Sequence, residues 1–159
     1  MTDPLADVLT PEQRRLNMSR IQGTDTKPEI LLRRALHRCG LRYRLYSRDL
    51  PGRPDLVFPR YRAVVFVHGC FWHGHCCPAF RWPKGNSMFW QRKIKRNIER
   101  DWQTRQNLLA QGWRVMTVWE CAFRGRRRMS ADVVASAVAD WLEHGAAVGG
   151  IEGTATQAD

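Results

Sequence analysis

Residues 63–77 read AVVFVHGCFWHGHCC and join an apolar run to a dense group of cysteines and histidines. The first five residues are continuously apolar, which is typical of a strand buried at the centre of a sheet. Residues 68–77 then hold three cysteines, three histidines and an adjacent Phe-Trp pair. Cysteine and histidine crowded together favour a metal site. The stretch therefore predicts a central strand that leads directly into a metal-binding loop.

The segments on either side predict an α/β chain in which helices flank a mixed sheet. Three consecutive strands followed by a helix predict hairpin-type pairing of those strands and a crossover into a fourth. Caps support the first two helices, because Thr10 precedes Pro11 and residues 26–29 form a capping box. The predicted helices are 10–23, 27–39, 87–111 and 130–144, and the predicted strands are 41–46, 56–58, 63–67 and 113–119.

One domain is expected over residues 10–145, with a basic N-terminal helix or arm at 10–23. Residues 1–9 are predicted to be flexible. Residues 146–159 are small, Gly-rich and nearly free of large apolar groups, so we predict a disordered tail. No stretch approaches the roughly 20 apolar residues of a membrane span, and the acidic N-terminus lacks the features of a signal peptide. We therefore expect a cytoplasmic protein with reduced thiols.

The chain is strongly basic, with 26 Lys and Arg against 15 Asp and Glu and a net charge of +11. A surplus of this size normally serves a polyanion, and nucleic acid is the first expectation. The alternative is a solubilising surface. Aromatic residues among the basic ones suit stacking on bases, although two of them, Phe71 and Trp72, could equally pack beneath the metal-binding loop. The loop aromatics are Phe71, Trp72, Trp82, Phe89 and Trp90, whereas Trp113, Trp119 and Trp141 are assigned to the core.

The favoured ligands of a structural zinc ion are Cys70, His75, Cys77 and Cys121. The first three are close enough in sequence to loop around one ion. Cys121 follows a strand that should lie beside 63–67, so both strand ends would converge. A closed Cys₃His set stabilises a loop and performs no chemistry. Two alternatives stay open: Cys76 could replace its neighbour Cys77, or the cysteines could pack as small hydrophobic side chains.

His73 and Asp55 are the candidates for chemistry. His68 and His73 are left over from the zinc set, and His73 lies between two zinc-binding segments. A neutral imidazole held there could accept a proton from water near neutral pH. Asp55 follows a turn and begins a strand, where a carboxylate beside phosphates would bind Mg²⁺. The alternatives are a surface histidine and an aspartate that caps a turn or forms an ion pair.

Four longer motifs occur in order: LPGRPDLVF, FVHGCFWHGHCC, MFWQRKIKRNIERD and GWRVMTVWECAFRGR. With them the chain resembles the very-short-patch repair endonucleases, bacterial enzymes that nick T:G mismatches, over about residues 14–143. The resemblance implies a restriction-endonuclease-like fold and a Mg²⁺-dependent nick 5′ of the mismatched thymine, which arises when 5-methylcytosine deaminates. Duplex DNA would be the substrate, and a cytosine-5 DNA methyltransferase and a repair polymerase would be functional partners. We expect a monomer in the bacterial cytoplasm, associated with the nucleoid.

By position in these motifs, the resemblance assigns roles to individual residues. Asp55 would bind Mg²⁺ together with the backbone carbonyl of Val67, and His73 would activate the attacking water. Glu29 and His68 would support this active site. The remaining assignments are Cys70, His75, Cys77 and Cys121 as zinc ligands, Phe71, Trp72 and Trp90 as an aromatic wedge beside the mismatch, Met18 and Ile21 as minor-groove contacts, and Lys93 and Asn97 as further DNA contacts.

Two features depart from the wider pattern. In the fold class a carboxylate and a lysine on the third strand complete the metal site, whereas residues 64–67 read VVFV, so His73 would replace that lysine. Gly74 and the Cys76-Cys77 pair loosen a stretch that is often histidine-rich in the family. A rival interpretation is a non-catalytic, zinc-stabilised DNA-binding module. A zinc deaminase would need H-x-E and P-C-x-x-C motifs, and neither occurs.

Overall fold

The central strand predicted from the apolar run 63–67 is present in the computed structural model, which describes residues 10–19, 23–78 and 80–154. Residues 1–9, predicted to be flexible, lie outside the described part of the chain. In chain order the elements are α1 (Pro11–Ser19), α2 (Lys27–Arg38), β1 (Arg44–Leu45), β2 (Leu56–Phe58), β3 (Ala63–His68), α3 (Ser87–Ala110), β4 (Arg114–Trp119), α4 (Ala131–His144) and β5 (Val148–Ile151).

Over the described residues, the strands form one five-stranded mixed sheet in the order β1-β2-β3-β4-β5. The first three strands pair antiparallel, whereas β3 with β4 and β4 with β5 pair in parallel. This confirms the mixed sheet and the helical crossover, which α3 makes. The β3–β4 ladder runs from Ala63 opposite Arg114 to His68 opposite Trp119. The segments that follow these two strands therefore emerge at the same edge of the sheet.

Two apolar cores lie on opposite faces of the sheet. The larger core contains Leu36 of α2 and Val138 of α4, together with Val65 of β3. The smaller core contains Val64 of β3 and Leu108 of α3. Val64 and Val65 are both completely buried, because successive strand residues point to opposite faces and helices cover each face. Burial on both faces accounts for the unbroken apolar run.

Most predicted boundaries agree with the structure to within one residue, and β1 is the clearest exception. The alternating segment 41–46 forms only the exposed two-residue strand Arg44–Leu45. Helix α1 is assigned through Ser19, and the end of the predicted arm at 20–22 lies outside the described residues. No helix in the described ranges has the length and apolarity that crossing a membrane requires.

The predicted disordered tail at 146–159 is wrong over residues 148–151, which form strand β5 against β4. The sequence feature that was misread is Gly149, which fits a tight packing contact and does not mark a disordered tail. A β-carbon on Gly149 would lie 2.8 Å from Trp141 Nε1 and 2.9 Å from Met116 Cε, so only hydrogen fits between strand and core. Ile151 then packs against the larger core. Residues 155–159 lie outside the described part of the chain.

We predict that Gly149→Ala lowers the free energy of unfolding by about 1–3 kcal/mol, because the added methyl group overpacks the contact with Trp141. Gly150→Ala is the matched control. A β-carbon there has no neighbour closer than 3.9 Å, so its stability should be unchanged or slightly higher. Urea denaturation followed by tryptophan fluorescence measures both variants, and equal stabilities would contradict the packing of β5.

Candidate functional site

An open cleft of about 1280 Å³ lies at the edge of the sheet where β3 and β4 end. Its lining brings together residues that are distant in sequence: Glu29, Asp55, Val67, His68, His73 and Asp101. The antiparallel pairing of β2 with β3 places Asp55, just before β2, beside the end of β3. The loop that follows β3 carries His73. The cleft therefore unites the predicted acidic and histidine residues.

Asp55 stands at the start of β2 and is held against the neighbouring strand. Its Oδ2 accepts a hydrogen bond of 2.7 Å from the Val67 N–H. Burial raises the pKa of Asp55 to about 7, the Val67 N–H opposes this, and the nearby Glu29 carboxylate adds to it. A cation bound in the cleft would stabilise these two neighbouring carboxylates in their charged form.

Glu29 is only 3% exposed and is the one buried charged side chain among the described residues. Its Oε2 accepts hydrogen bonds from the Tyr46 hydroxyl at 2.5 Å and from the Asp25 N–H at 3.1 Å. Arg33 Nη2 lies 3.3 Å from the same oxygen, and it also pairs with the Asp25 carboxylate. Burial, followed by the bond to Glu29, raises the pKa of Tyr46. This network fixes the carboxylate beside Asp55.

His73 and His68 stack face to face, with ring centroids 3.7 Å apart and an interplanar angle of 2°. On its edge, His73 Nδ1 lies 2.5 Å from Asp101 Oδ2 of α3. Because a carboxylate on Nδ1 favours the tautomer with the proton there, Nε2 of neutral His73 keeps its lone pair. Burial, and then the neighbouring His73, lower the pKa of His68 to about 3, so His68 is neutral at physiological pH. The histidine pair can therefore accept a proton at one atom, His73 Nε2.

A second cluster lies beside this pair. Among the described residues, the ligand atoms of Cys70, His75, Cys77 and Cys121 all lie within 4.8 Å of one another, and the cysteines are free thiols. Cys70 and Cys121 are buried, and burial raises the pKa of both thiols. The distance from Cys121 Sγ to His75 Nδ1 is 3.8 Å, near the roughly 3.6 Å edge that Zn–S and Zn–N bonds give a tetrahedron. Three sulfurs and one imidazole fit a zinc ion.

The structure brings Cys77, and not Cys76, into this cluster. Cys76 is exposed, whereas Cys77 is half-buried. The turn between the cluster residues depends on Gly74, which has a φ of +62° and packs on α3. A β-carbon there would lie 2.6 Å from Ile98 Cδ1. The Gly74 departure therefore tightens the loop against the helix instead of loosening it.

Trp119 was assigned to the core, and that assignment is incomplete. Its ring stacks on His75, with centroids 4.1 Å apart and an interplanar angle of 6°, and it contacts His68 edge-on at 5.6 Å. It lies only partly buried, in the lining of the cleft. Trp119 thus supports both clusters, because the β3–β4 register places it directly opposite His68.

The aromatic cluster consists of Phe71 and Trp72 on the loop after β3 and Trp90 on the first turn of α3. The three rings contact one another at centroid distances of 5.1, 5.3 and 5.7 Å. Lys93 Nζ lies 5.2 Å from the Trp72 ring, and Asn97 Nδ2 donates to the Trp72 carbonyl at 2.8 Å. The rings belong to neither apolar core. They pack on one another and leave a half-buried surface beside the cleft.

Two predicted DNA contacts lie wholly or partly outside the described part of the chain. Ile21 lies outside the described residues, and Met18 belongs to α1, but its side chain lies outside the described part. Three further site residues were missed by sequence analysis: Asp101, Tyr46 and Arg33. The available signal for Asp101 was an acid in a basic helix, four residues after Asn97 and therefore on the same helical face. Nothing in the sequence pattern distinguishes Tyr46, whose φ of +48° ends β1.

The order and direction of the strands, with the Cys/His cluster following the central strand, define a restriction-endonuclease-like α/β domain. Residues 6–79 match the family model described as DNA mismatch endonuclease Vsr. The chain is 48% identical over 117 residues to the type II nicking enzyme V.XorIIP of Xanthomonas oryzae, covering 74% of this chain and 86% of the relative. It is 42% identical over 138 residues to the DNA mismatch endonuclease Vsr of Escherichia coli, covering 87% and 88%.

A third relative, the type II nicking enzyme V.NmeAIP of Neisseria meningitidis, is 41% identical over 122 residues, covering 77% of this chain and 87% of the relative. Each of these alignments covers most of this chain and most of the relative. The chain belongs to the Vsr family of very-short-patch repair endonucleases.

Proposed function

We propose that this protein nicks one strand of duplex DNA 5′ of the thymine in a T:G mispair and so initiates very-short-patch repair. The carrying observation is that Asp55 and the His73–Asp101 pair line the same cleft, beside the aromatic cluster. Family relatives named as mismatch endonucleases and nicking enzymes support the reaction class. The net charge of +11 supports a DNA substrate.

In this proposal Asp55 and the backbone carbonyl of Val67 hold the catalytic Mg²⁺. The fit rests on donor chemistry, because both groups offer oxygen, the ligand that Mg²⁺ requires, and because the Asp55 carboxylate lies near that of Glu29. When bound, the ion would polarise the scissile phosphate and stabilise the charge on the leaving oxygen. Glu29 supports the site by holding its negative charge at a fixed place through Tyr46 and Arg33.

His73 is the proposed general base. Its Nε2 would accept a proton from the attacking water, while Asp101 holds Nδ1 and stabilises the imidazolium that forms. His68 supports this step from the ring face. Because the pKa of His68 is lowered to about 3, it adds no second positive charge against protonated His73.

The aromatic cluster is the proposed wedge that enters the base stack beside the mispair. Phe71 and Trp72 precede His73 directly in the chain. Inserting rings between bases costs a few kcal/mol of unstacking, and a mispaired step resists less than a matched one. Because wedge and base share one short loop, insertion and water activation would be linked. Lys93 and Asn97 would contact the DNA beside the wedge, and Met18 and Ile21 would contact the minor groove.

Zinc is the proposed structural ion at Cys70, His75, Cys77 and Cys121. All four positions are filled by protein groups, so the ion would hold the loop and leave no open position for chemistry. We further infer a monomer that acts on DNA in the bacterial cytoplasm at the nucleoid. A cytosine-5 DNA methyltransferase would create the methylated sites, and a repair polymerase would act after the nick.

We predict that Asp55→Ala and His73→Ala each lower the nicking rate on a T:G duplex with Mg²⁺ by about 10²–10⁴-fold while DNA binding persists. Asp101→Asn should cause a smaller loss, because it acts through His73. A gel assay with a labelled thymine strand measures the rate, and a T:A duplex is the substrate control. Asp140→Ala, which removes an exposed carboxylate on α4, is the protein control. Wild-type nicking by both alanine variants would contradict the proposed mechanism, whereas DNA binding without nicking by the wild-type protein would favour the non-catalytic DNA-binding module.

We predict that Trp72→Ala selectively weakens the action on mispairs, because a stacking contact contributes about 1–3 kcal/mol. The nicking rate on a T:G duplex should fall about 10-fold or more. A 2-aminopurine placed beside the mispair becomes fluorescent when it is unstacked, and its signal should rise with the wild type and rise less with Trp72→Ala. A signal that rises equally with both proteins would exclude Trp72 from the wedge.

We predict one equivalent of zinc per chain by elemental analysis. Neighbouring cysteines provide a matched pair: Cys77→Ser should lose zinc and stability, whereas Cys76→Ser should keep both, because only Cys77 belongs to the cluster. Cys39→Ser, at an exposed helix end, is a second control. A folded, stable wild type without metal would contradict the zinc assignment.

A further inference from the structure

The chain segment after β5 closes over the Cys/His cluster. Ile151 is the last strand residue, and Glu152 and Gly153 follow it directly into contact with two cluster residues. Neither residue belongs to the four-membered cluster itself. The segment was predicted to be disordered, so its position adds a component that the sequence did not suggest.

Glu152 contacts His75 on the ring nitrogen that faces away from the cluster. Glu152 Oε2 lies 2.7 Å from His75 Nε2, whereas His75 Nδ1 faces Cys121 Sγ at 3.8 Å. If Nδ1 binds a metal ion, Nε2 must carry the ring proton and donates it to the carboxylate. This is the carboxylate–histidine–metal arrangement that fixes the tautomer and increases the basicity of the ligand nitrogen.

Gly153 contacts the second cluster residue. Its N–H donates to Cys121 Sγ at 3.3 Å, in a buried position. A β-carbon on Gly153 would lie 2.6 Å from the Cys121 carbonyl oxygen and 2.9 Å from the Arg127 carbonyl oxygen. The Thr154 N–H donates to that Arg127 carbonyl at 3.0 Å, which anchors the segment beyond the glycine. Only glycine allows the backbone to approach the sulfur this closely.

The His75 ring is therefore fixed in two ways. Trp119 stacks on its face at 4.1 Å and sets its plane, and Glu152 sets the rotation within that plane. The His75 side chain is only 11% exposed, while Glu152 is 63% exposed. An exposed carboxylate in an isolated ion pair adds little stability. The same carboxylate bonded to a metal ligand affects metal affinity, typically by about 10–100-fold.

We propose that Glu152 is a positioning residue of the metal centre, directing His75 Nδ1 to the ion, while the Gly153 N–H stabilises the Cys121 thiolate. This inference rests on the proposed zinc site. It extends the metal centre from its four ligands to the C-terminal end of β5, so that pairing of the last strand and metal retention depend on each other.

The test is competition for zinc between a chromogenic chelator and the full chain carrying changes at residue 152. Glu152→Ala should raise the zinc dissociation constant about 10-fold or more. Glu152→Gln should stay within about threefold of the wild type, because its amide oxygen still accepts the His75 N–H. Glu152→Lys should be the weakest binder, because it places a cation against that N–H. Asp140→Ala and Asp140→Lys change an exposed carboxylate on α4 by the same charges and should leave zinc affinity unchanged.

Two different quantities test the zinc site and the role of Glu152. Wild-type zinc content tests the zinc site itself, and the ratio of each variant to the wild type tests Glu152. Equal dissociation constants for wild type, Glu152→Ala and Glu152→Lys would overturn the proposal while leaving the zinc site intact. If Glu152→Ala does not fold, the comparison of Glu152→Gln with Glu152→Lys decides: a strong weakening in the lysine variant alone supports it, and equal affinities overturn it.

Discussion

The parallel pairing of β3 with β4 is the constraint on which the site depends. Its register sets His68 opposite Trp119, so the loop that follows β3 and the turn that follows β4 start side by side. Cys70 and Cys121 are 51 residues apart in the sequence, yet this strand pairing brings them into the same cluster. Because α3 spans the crossover, the same geometry lays Asp101 along the loop. Both the Cys/His cluster and the histidine pair depend on this one parallel pairing.

Within the loop after β3, spacing is as important as composition. Phe71 and Trp72 contact Trp90, His73 faces Asp101, and His75 faces Trp119. A chain of seven residues (69–75) cannot adopt so many different directions in regular structure. It does so by folding back through short backbone bonds, including His75 N–H to the Cys70 carbonyl at 2.9 Å. Such a loop has little apolar burial of its own, so metal ligation is a suitable source of its rigidity.

Sequence patterns predicted the mixed sheet, the four helices and the members of the Cys/His cluster, because periodicity, caps and the ends of strands are local signals. They could not predict partners that depend on tertiary packing. Asp101 is one of several charged residues on a long helix, and only the position of α3 against the loop selects it. Tyr46 and Arg33 meet Glu29 because β1 ends where α2 begins its first turns. Strand β5 was missed because its fit depends on Gly149 lying against Trp141, a contact invisible to composition.

The acids of this basic chain are distributed in a way that bears on how DNA would be bound. Asp55, Glu29 and Asp101 line the cleft together with basic side chains that include Lys27, Lys93 and Arg105. A phosphodiester drawn to the basic surface would meet these carboxylates at the point of chemistry, and like charges repel. In the proposed mechanism, a divalent cation on Asp55 would remove that repulsion at the position of the scissile phosphate. Under the proposed mechanism, binding of DNA in the productive position and binding of Mg²⁺ would therefore be mutually dependent, since each would supply the charge that the other lacks.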